Sequence, residues 1–182
     1  MHRFALFLIL AFAVLFSAPG TGRANAEHCT LTFSVAAENT IGTVNPGGAL
    51  TGSIDFTVRS AWQQDAETVS YKTSGTLRLA AAGRGEVTGA IKVVHVVRTP
   101  YTADYISIDA VDVKGDLGGQ ERYADPMLVT LYAAPVTLTT SALPKTNADW
   151  NVLSKRRFFQ VHTPTTMATF YGPITRISGN CR

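Results

Sequence analysis

A chain of 182 residues with 46% hydrophobic and 16% charged side chains has enough apolar material for a core, and is too apolar for a disordered coil. Its net charge of +3 rests partly on the first 26 positions: without Arg3 and Arg23, fourteen Lys and Arg face thirteen Asp and Glu. That balance gives no footing for a nucleic-acid partner, and none is expected.

In chain order, Met1–Arg3 supply a positive start and residues 4–18 an uncharged apolar run. Pro19 and Gly20 break the run, and Ala24-Asn25-Ala26 forms a small-x-small cleavage site. This order predicts a secretory signal peptide over 1–26 and export to a bacterial periplasm or beyond. The run is shorter than the ~20 residues a membrane-spanning helix needs. Residues 27–182 contain no further apolar stretch of that length, so no transmembrane segment is expected there. They read as a single domain. Cys29 and Cys181 are the only cysteines, near the two ends of this part of the chain. In an oxidising compartment they are expected to pair and tie the first strand to the last.

From Cys29 onward the pattern has period two. Cys29, Leu31, Phe33 and Val35 alternate with Thr30, Thr32 and Ser34. Leu50–Trp62 continues the pattern, with Ile54, Phe56 and Trp62 on one parity, and Val69, Tyr71, Gly75, Leu77 and Leu79 share the next inner row. Such alternation marks half-buried antiparallel strands. Further strands are expected at Glu86–Arg98, Tyr105–Lys114, Met127–Leu138, Arg157–Thr163 and Met167–Ile177, and one short helical turn at Asn147–Leu153 with Asn147 as its cap. Gly52, Gly75, Gly89 and Gly115 each stand two residues before a branched apolar residue, as suits a strongly curled sheet. The fold class is therefore all-β: one antiparallel domain of about eight or nine strands, a closed or nearly closed barrel favoured over a sandwich.

Candidate chemistry is sparse. His95 shares its parity with Val87, Ile91 and Val93, on what alternation makes the inner face. From Val93 to Val97, however, both faces are apolar, so a one-residue bulge would turn His95 outward. His28 and His162 have no metal-ligand spacing, and Asp109, Asp112 and Asp116 lack the ligand order of a calcium loop. The sequence contains no nucleophile elbow, phosphate loop or dinucleotide fingerprint, and no cofactor or metal is expected. With no catalytic constellation in sight, the sequence leans away from an enzyme. Two readings follow. The first is a secreted β-barrel that binds a small apolar or lipid-like ligand, with His95, Phe56, Trp62 and Tyr71 as lining residues. The alternative is a structural, adhesive or inhibitory sandwich that acts through its surface on another protein. A cavity inside the barrel separates them.

Overall fold

Strand alternation closes on itself in the computed structural model, which describes residues 26–36, 49–118, 123–162 and 169–182. The expected leader lies outside the described residues. Eight strands follow in chain order: β1 (His28–Val35), β2 (Leu50–Gln63), β3 (Thr68–Ala81), β4 (Gly85–Val97), β5 (Tyr105–Gly115), β6 (Ala124–Tyr132), β7 (Arg156–His162) and β8 (Thr169–Cys181). One short helix, α1 (Asn147–Asn151), lies between β7 and the strand before it. Each strand pairs antiparallel with its chain neighbour and β8 returns to β1, a closed up-and-down barrel.

The predicted pair of cysteines makes the closure covalent. Cys29 and Cys181 stand opposite each other in the β1–β8 ladder and form a disulfide. Inward residues from all eight strands meet in one core, among them Leu31, Ile54, Leu77, Val94, Ile106, Val129, Phe159 and Phe170. Phe33 of β1 packs on Phe159 of β7 at 6.1 Å between ring centroids, across strands that are not neighbours, and Phe159 packs on Phe170 of the adjacent β8 at 6.0 Å. Glycines make the close approaches possible. A Cβ at Gly75 would lie 2.0 Å from Asp55 O and 2.5 Å from Phe56 Cα, so β3 passes β2 where no side chain fits.

The start of β1, the turn after β2, the loop after β4, the connection 133–155 and the end of β8 lie at one end of this up-and-down arrangement. That end is plugged. The strand expected over Met127–Leu138 stops at Tyr132, because the chain turns away there to build the plug. Asp104, with no exposed surface, holds it: its carboxylate accepts the Thr99 N–H at 3.0 Å and the Leu138 N–H at 2.7 Å. Arg98 Nε donates to Leu138 O at 2.8 Å. Leu138, Leu143, Trp150 and Leu153 then fold into the core.

Helix α1 repairs a seam. β7 pairs with β8 only over Phe158–His162, leaving the last residues of β8 without a strand on that side. The plug takes the vacant place: Cys181 N donates to Lys145 O at 3.0 Å, and Asn151 Nδ2 to Ile177 O at 3.4 Å. The helix starts one residue earlier than the sequence suggests. Thr146, not Asn147, is the N-cap, and Thr146 and Asp149 form a reciprocal capping box.

Candidate functional site

Bulges decide where the predicted site residues point. Register slips between Val58 and Ser60 of β2 against β3, and between Ile91 and Val93 of β4 against β5. Each slip inserts one residue, Arg59 and Lys92, and inverts the parity beyond it. Val94 and Val96 therefore enter the core and His95 turns to the outer wall. Trp62, read on the same row as Phe56, is likewise outside: it stands opposite Ser70, which stands opposite His95. Phe56 is fully buried among its neighbours. Tyr71 stays on the inner row at the plugged end, where its hydroxyl donates to Ser141 O at 2.6 Å and burial pushes its pKa up. The four predicted lining residues are thus not brought together in one cavity. The inner-face expectation is corrected for Trp62 and His95.

His95 instead belongs to a polar chain across four segments. Ser70 Oγ donates to Gln64 Oε1 at 2.7 Å and lies 2.8 Å from His95 Nδ1. His95 Nε2 faces Asp109 Oδ2 at 3.7 Å, and Ser107 Oγ donates to Asp109 Oδ1 at 2.5 Å. A serine, a histidine and an aspartate in line invite comparison with an acyl-transfer triad, but the directions are reversed. The one hydroxyl proton of Ser70 is directed at Gln64, not at the imidazole that would have to take it in acyl transfer. Ser70 also has no exposed surface, so no substrate carbonyl reaches it. The chain works as a latch that ties the β2–β3 turn to β4 and β5.

Beside the latch, an aromatic ladder climbs obliquely over the outer wall. Tyr105 and Tyr132 stand 5.2 Å apart between ring centroids, Tyr132 and Phe158 6.0 Å, and Phe158 and Tyr171 4.9 Å. The Arg156 guanidinium covers the last two rings at 5.3 and 5.7 Å and donates to the Tyr171 hydroxyl. Among the described residues no carboxylate pairs with Arg156. Burial, then the nearby Tyr132, Asp109 and Asp65, raise the Tyr105 pKa. The large hydrophobic side chains exposed among the described residues also belong to the plugged end: Tyr101 (85%), Val136 (71%), Val152 (47%) and Trp62 (44%). Val136 adopts a φ of 59°, a left-handed conformation that strains a β-branched residue. Alternation cannot reveal this surface, because it combines loop tips with outer rows whose parity the bulges reset.

The remaining chemistry is scattered. Glu27, Cys29 and Cys181 offer ligand atoms within 4.8 Å of one another, yet both thiols are spent in the disulfide and Glu27 is paired with Lys145 at 2.5 Å. Asp112 pairs with Lys92 at 3.5 Å, while Asp116 accepts the Gly118 N–H at 2.7 Å. His28 sits beside Asp55, and His162 lies 3.1 Å from Gln160 Nε2. Four clefts lined by described residues open on the outside of the wall or at the plugged end. No helix among the described residues is long and apolar enough to cross a membrane. Comparison with protein-family models, with curated proteins and with solved structures finds no match to this chain.

Proposed function

We propose that this chain is an exported, non-catalytic binding module that works from the outside of a filled barrel, docking a partner protein on its plugged end and the adjoining aromatic ladder. One observation carries the reading: the exposed Tyr101, Val136, Val152 and Trp62 gather at the end where the ladder begins. Tyrosine, tryptophan and arginine are the residues on which protein interfaces concentrate binding energy. Arg156, seated on rings with no carboxylate of its own among the described residues, suits an acidic side chain of the partner. That end carries both signs of charge, Asp65, Glu67 and Asp149 with Arg98, Lys145, Lys155 and Arg156, which suits the mixed surface of a protein better than a uniformly anionic bilayer. The apolar-ligand reading loses support from an interior occupied by Phe33, Phe56, Phe159, Phe170 and Trp150.

Photo-crosslinkers placed at Tyr101, at Tyr132 and, as a control on another wall, at Thr76 test this in the producing cell. A discrete protein adduct from the first two sites and none from the third is expected, with loss of the adduct in Arg156→Glu. Adducts of equal yield at all three sites, or none, would overturn the proposal. Sedimentation with anionic vesicles would replace the protein by a membrane, and lipid masses retained in native mass spectrometry would restore the carrier.

A further inference from the structure

A second outer surface has a different chemistry. Two cross-strand rows face solvent on β8, β1, β2 and β3: Ser178, Thr32, Ser53 and Arg78 in register, and Arg176, Ser34, Thr51 and Ala80 beside them. Short hydroxyl side chains occupy the middle of both rows, and longer arginines stand at the sides. The result is a trough of about 690 Å3. Its far bank is α1 with Asn151 and the start of β7 with Arg157. Three arginines and six Ser or Thr hydroxyls line the trough, and no Asp or Glu does.

The positive charge is poorly compensated. Arg78 is paired with Glu86, which lies outside the trough. Among the described residues no carboxylate reaches Arg176. Arg157 bonds only neutral oxygens, Leu153 O at 2.5 Å and Asn151 O at 3.0 Å, and desolvation lowers its pKa. A guanidinium remains cationic despite such a shift. A half-buried cation held against carbonyls gains more from an arriving oxyanion than a solvated one does.

We infer that this trough binds an acidic saccharide of about disaccharide size, one bearing carboxylate, sulfate or phosphate groups. The volume lies within the range of small-ligand sites. Arg176 and Arg157 would take the oxyanion, and the Thr32, Ser34, Thr51 and Ser53 hydroxyls would exchange hydrogen bonds with the sugar hydroxyls. The aromatic ring nearest the floor, Phe33, is buried beneath it. Neutral sugars therefore lack the exposed ring face on which they would stack, and the charge must supply recognition. The trough borders the plugged end at α1, but none of Tyr101, Val136, Val152, Trp62 and Arg156 lines it, so its failure would leave the docking proposal standing.

Titration calorimetry on the disulfide-bonded protein tests it with four probes: a sulfated uronate disaccharide, a digalacturonate, neutral maltose and inorganic phosphate. Both acidic disaccharides are expected to bind, at least tenfold more tightly than maltose or phosphate, with affinity falling as salt rises. Arg176→Gln should weaken them about tenfold without moving the melting temperature, because its side chain is exposed on β8. Ser53→Leu, which fills the floor, should abolish binding while Thr76→Leu outside the trough does not. Equal binding of maltose, phosphate binding as tight as the disaccharides, or an unaltered affinity in Arg176→Gln would each overturn the inference. So would the absence of heat with both acidic probes in a protein of native melting temperature.

Discussion

The trough wall and the latch wall belong to one barrel, yet they differ in how faithfully period two survives. Across β1 and β2 the ladder runs unbroken from His28↔Thr57 to Val35↔Leu50, and every residue keeps the face that its parity assigns. Around the latch, insertions at Arg59 and Lys92 turn Trp62 and His95 outward where parity predicts core, and they join Ser70 and Ser107 in one outer row. A strand carries its pattern only as far as its next bulge. Bulges also bend and twist the strands they interrupt, as closure of a barrel demands.

The sharpest way to break the trough wall is at its closure, the β1–β8 ladder, which slips once between Ser34 and Val35. Cys29 and Cys181 enclose a separation of 152 residues, for which the chain-entropy model assigns ~5 kcal/mol as an upper figure. The double variant Cys29→Ala/Cys181→Ala is expected to lower unfolding free energy by several kcal/mol on the order of that bound. Equilibrium urea denaturation reads the loss, and a midpoint unchanged from the parent would show that the β1–β8 ladder closes without the bond.

Close approach offers the next contrast. At Gly75 an added Cβ meets the backbone of Asp55 and Phe56, whereas at Gly52 it meets the ring of Phe33, 2.0 Å away at Cζ. A ring can turn aside and a neighbouring strand cannot, so Gly75→Ala should cost about 1–3 kcal/mol or more and Gly52→Ala less. Thermal melts of the two variants compare them directly. A larger loss at Gly52 would mean that packing around Phe33 is the stiffer feature.

These two glycines also show what was readable beforehand. Inward glycines, alternation and the terminal cysteines were sufficient for the barrel and its covalent closure, because each depends on local parity or on there being no other partner. The positions of His95 and Trp62 were not, since a bulge is one extra residue with no compositional mark of its own. Both faces of Val93–Val97 being apolar was the only hint. The trough is hidden for another reason: its residues come from five strands and α1 and become neighbours only in the closed barrel. Alternation alone carries β6 beyond Tyr132 because Ala133–Leu138 is apolar enough for strand or plug, and the deciding contact is with the distant Asp104.

A smaller effect probes the latch itself. Ser70→Ala removes the hydroxyl that joins Gln64 to His95 and should cost about 1 kcal/mol, the net worth of a typical hydrogen bond with some added penalty for the part-buried imidazole. His95→Val should cost a similar amount. Were His95 a core residue, the same replacement would stabilise the protein, so the sign of the change in urea midpoint distinguishes inside from outside.

The smallest expected effect is confined to the plug and has a defined pH direction. Asp149 is held below the ordinary carboxylate range, first by the backbone N–H of Thr146, then by its side chain, and by Lys145 N. A carboxyl depressed in the folded state contributes stability that is complete above its unfolded value, near pH ~4, and is lost as pH falls through the lower folded value. Acid should therefore loosen the α1 cap below about pH 4. Trp150, buried one residue beyond Asp149, reports the change by fluorescence once Trp62→Phe removes the other indole. Asp65, depressed chiefly by the Glu67 backbone N–H, titrates in the same direction but in the β2–β3 turn, away from this reporter. Asp149→Asn should then abolish the acid change in Trp150 emission, whereas Asp65→Asn should leave it intact. An emission change that persists in Asp149→Asn, or that begins well above pH 5, would transfer the control of the seam from the capping box to another group.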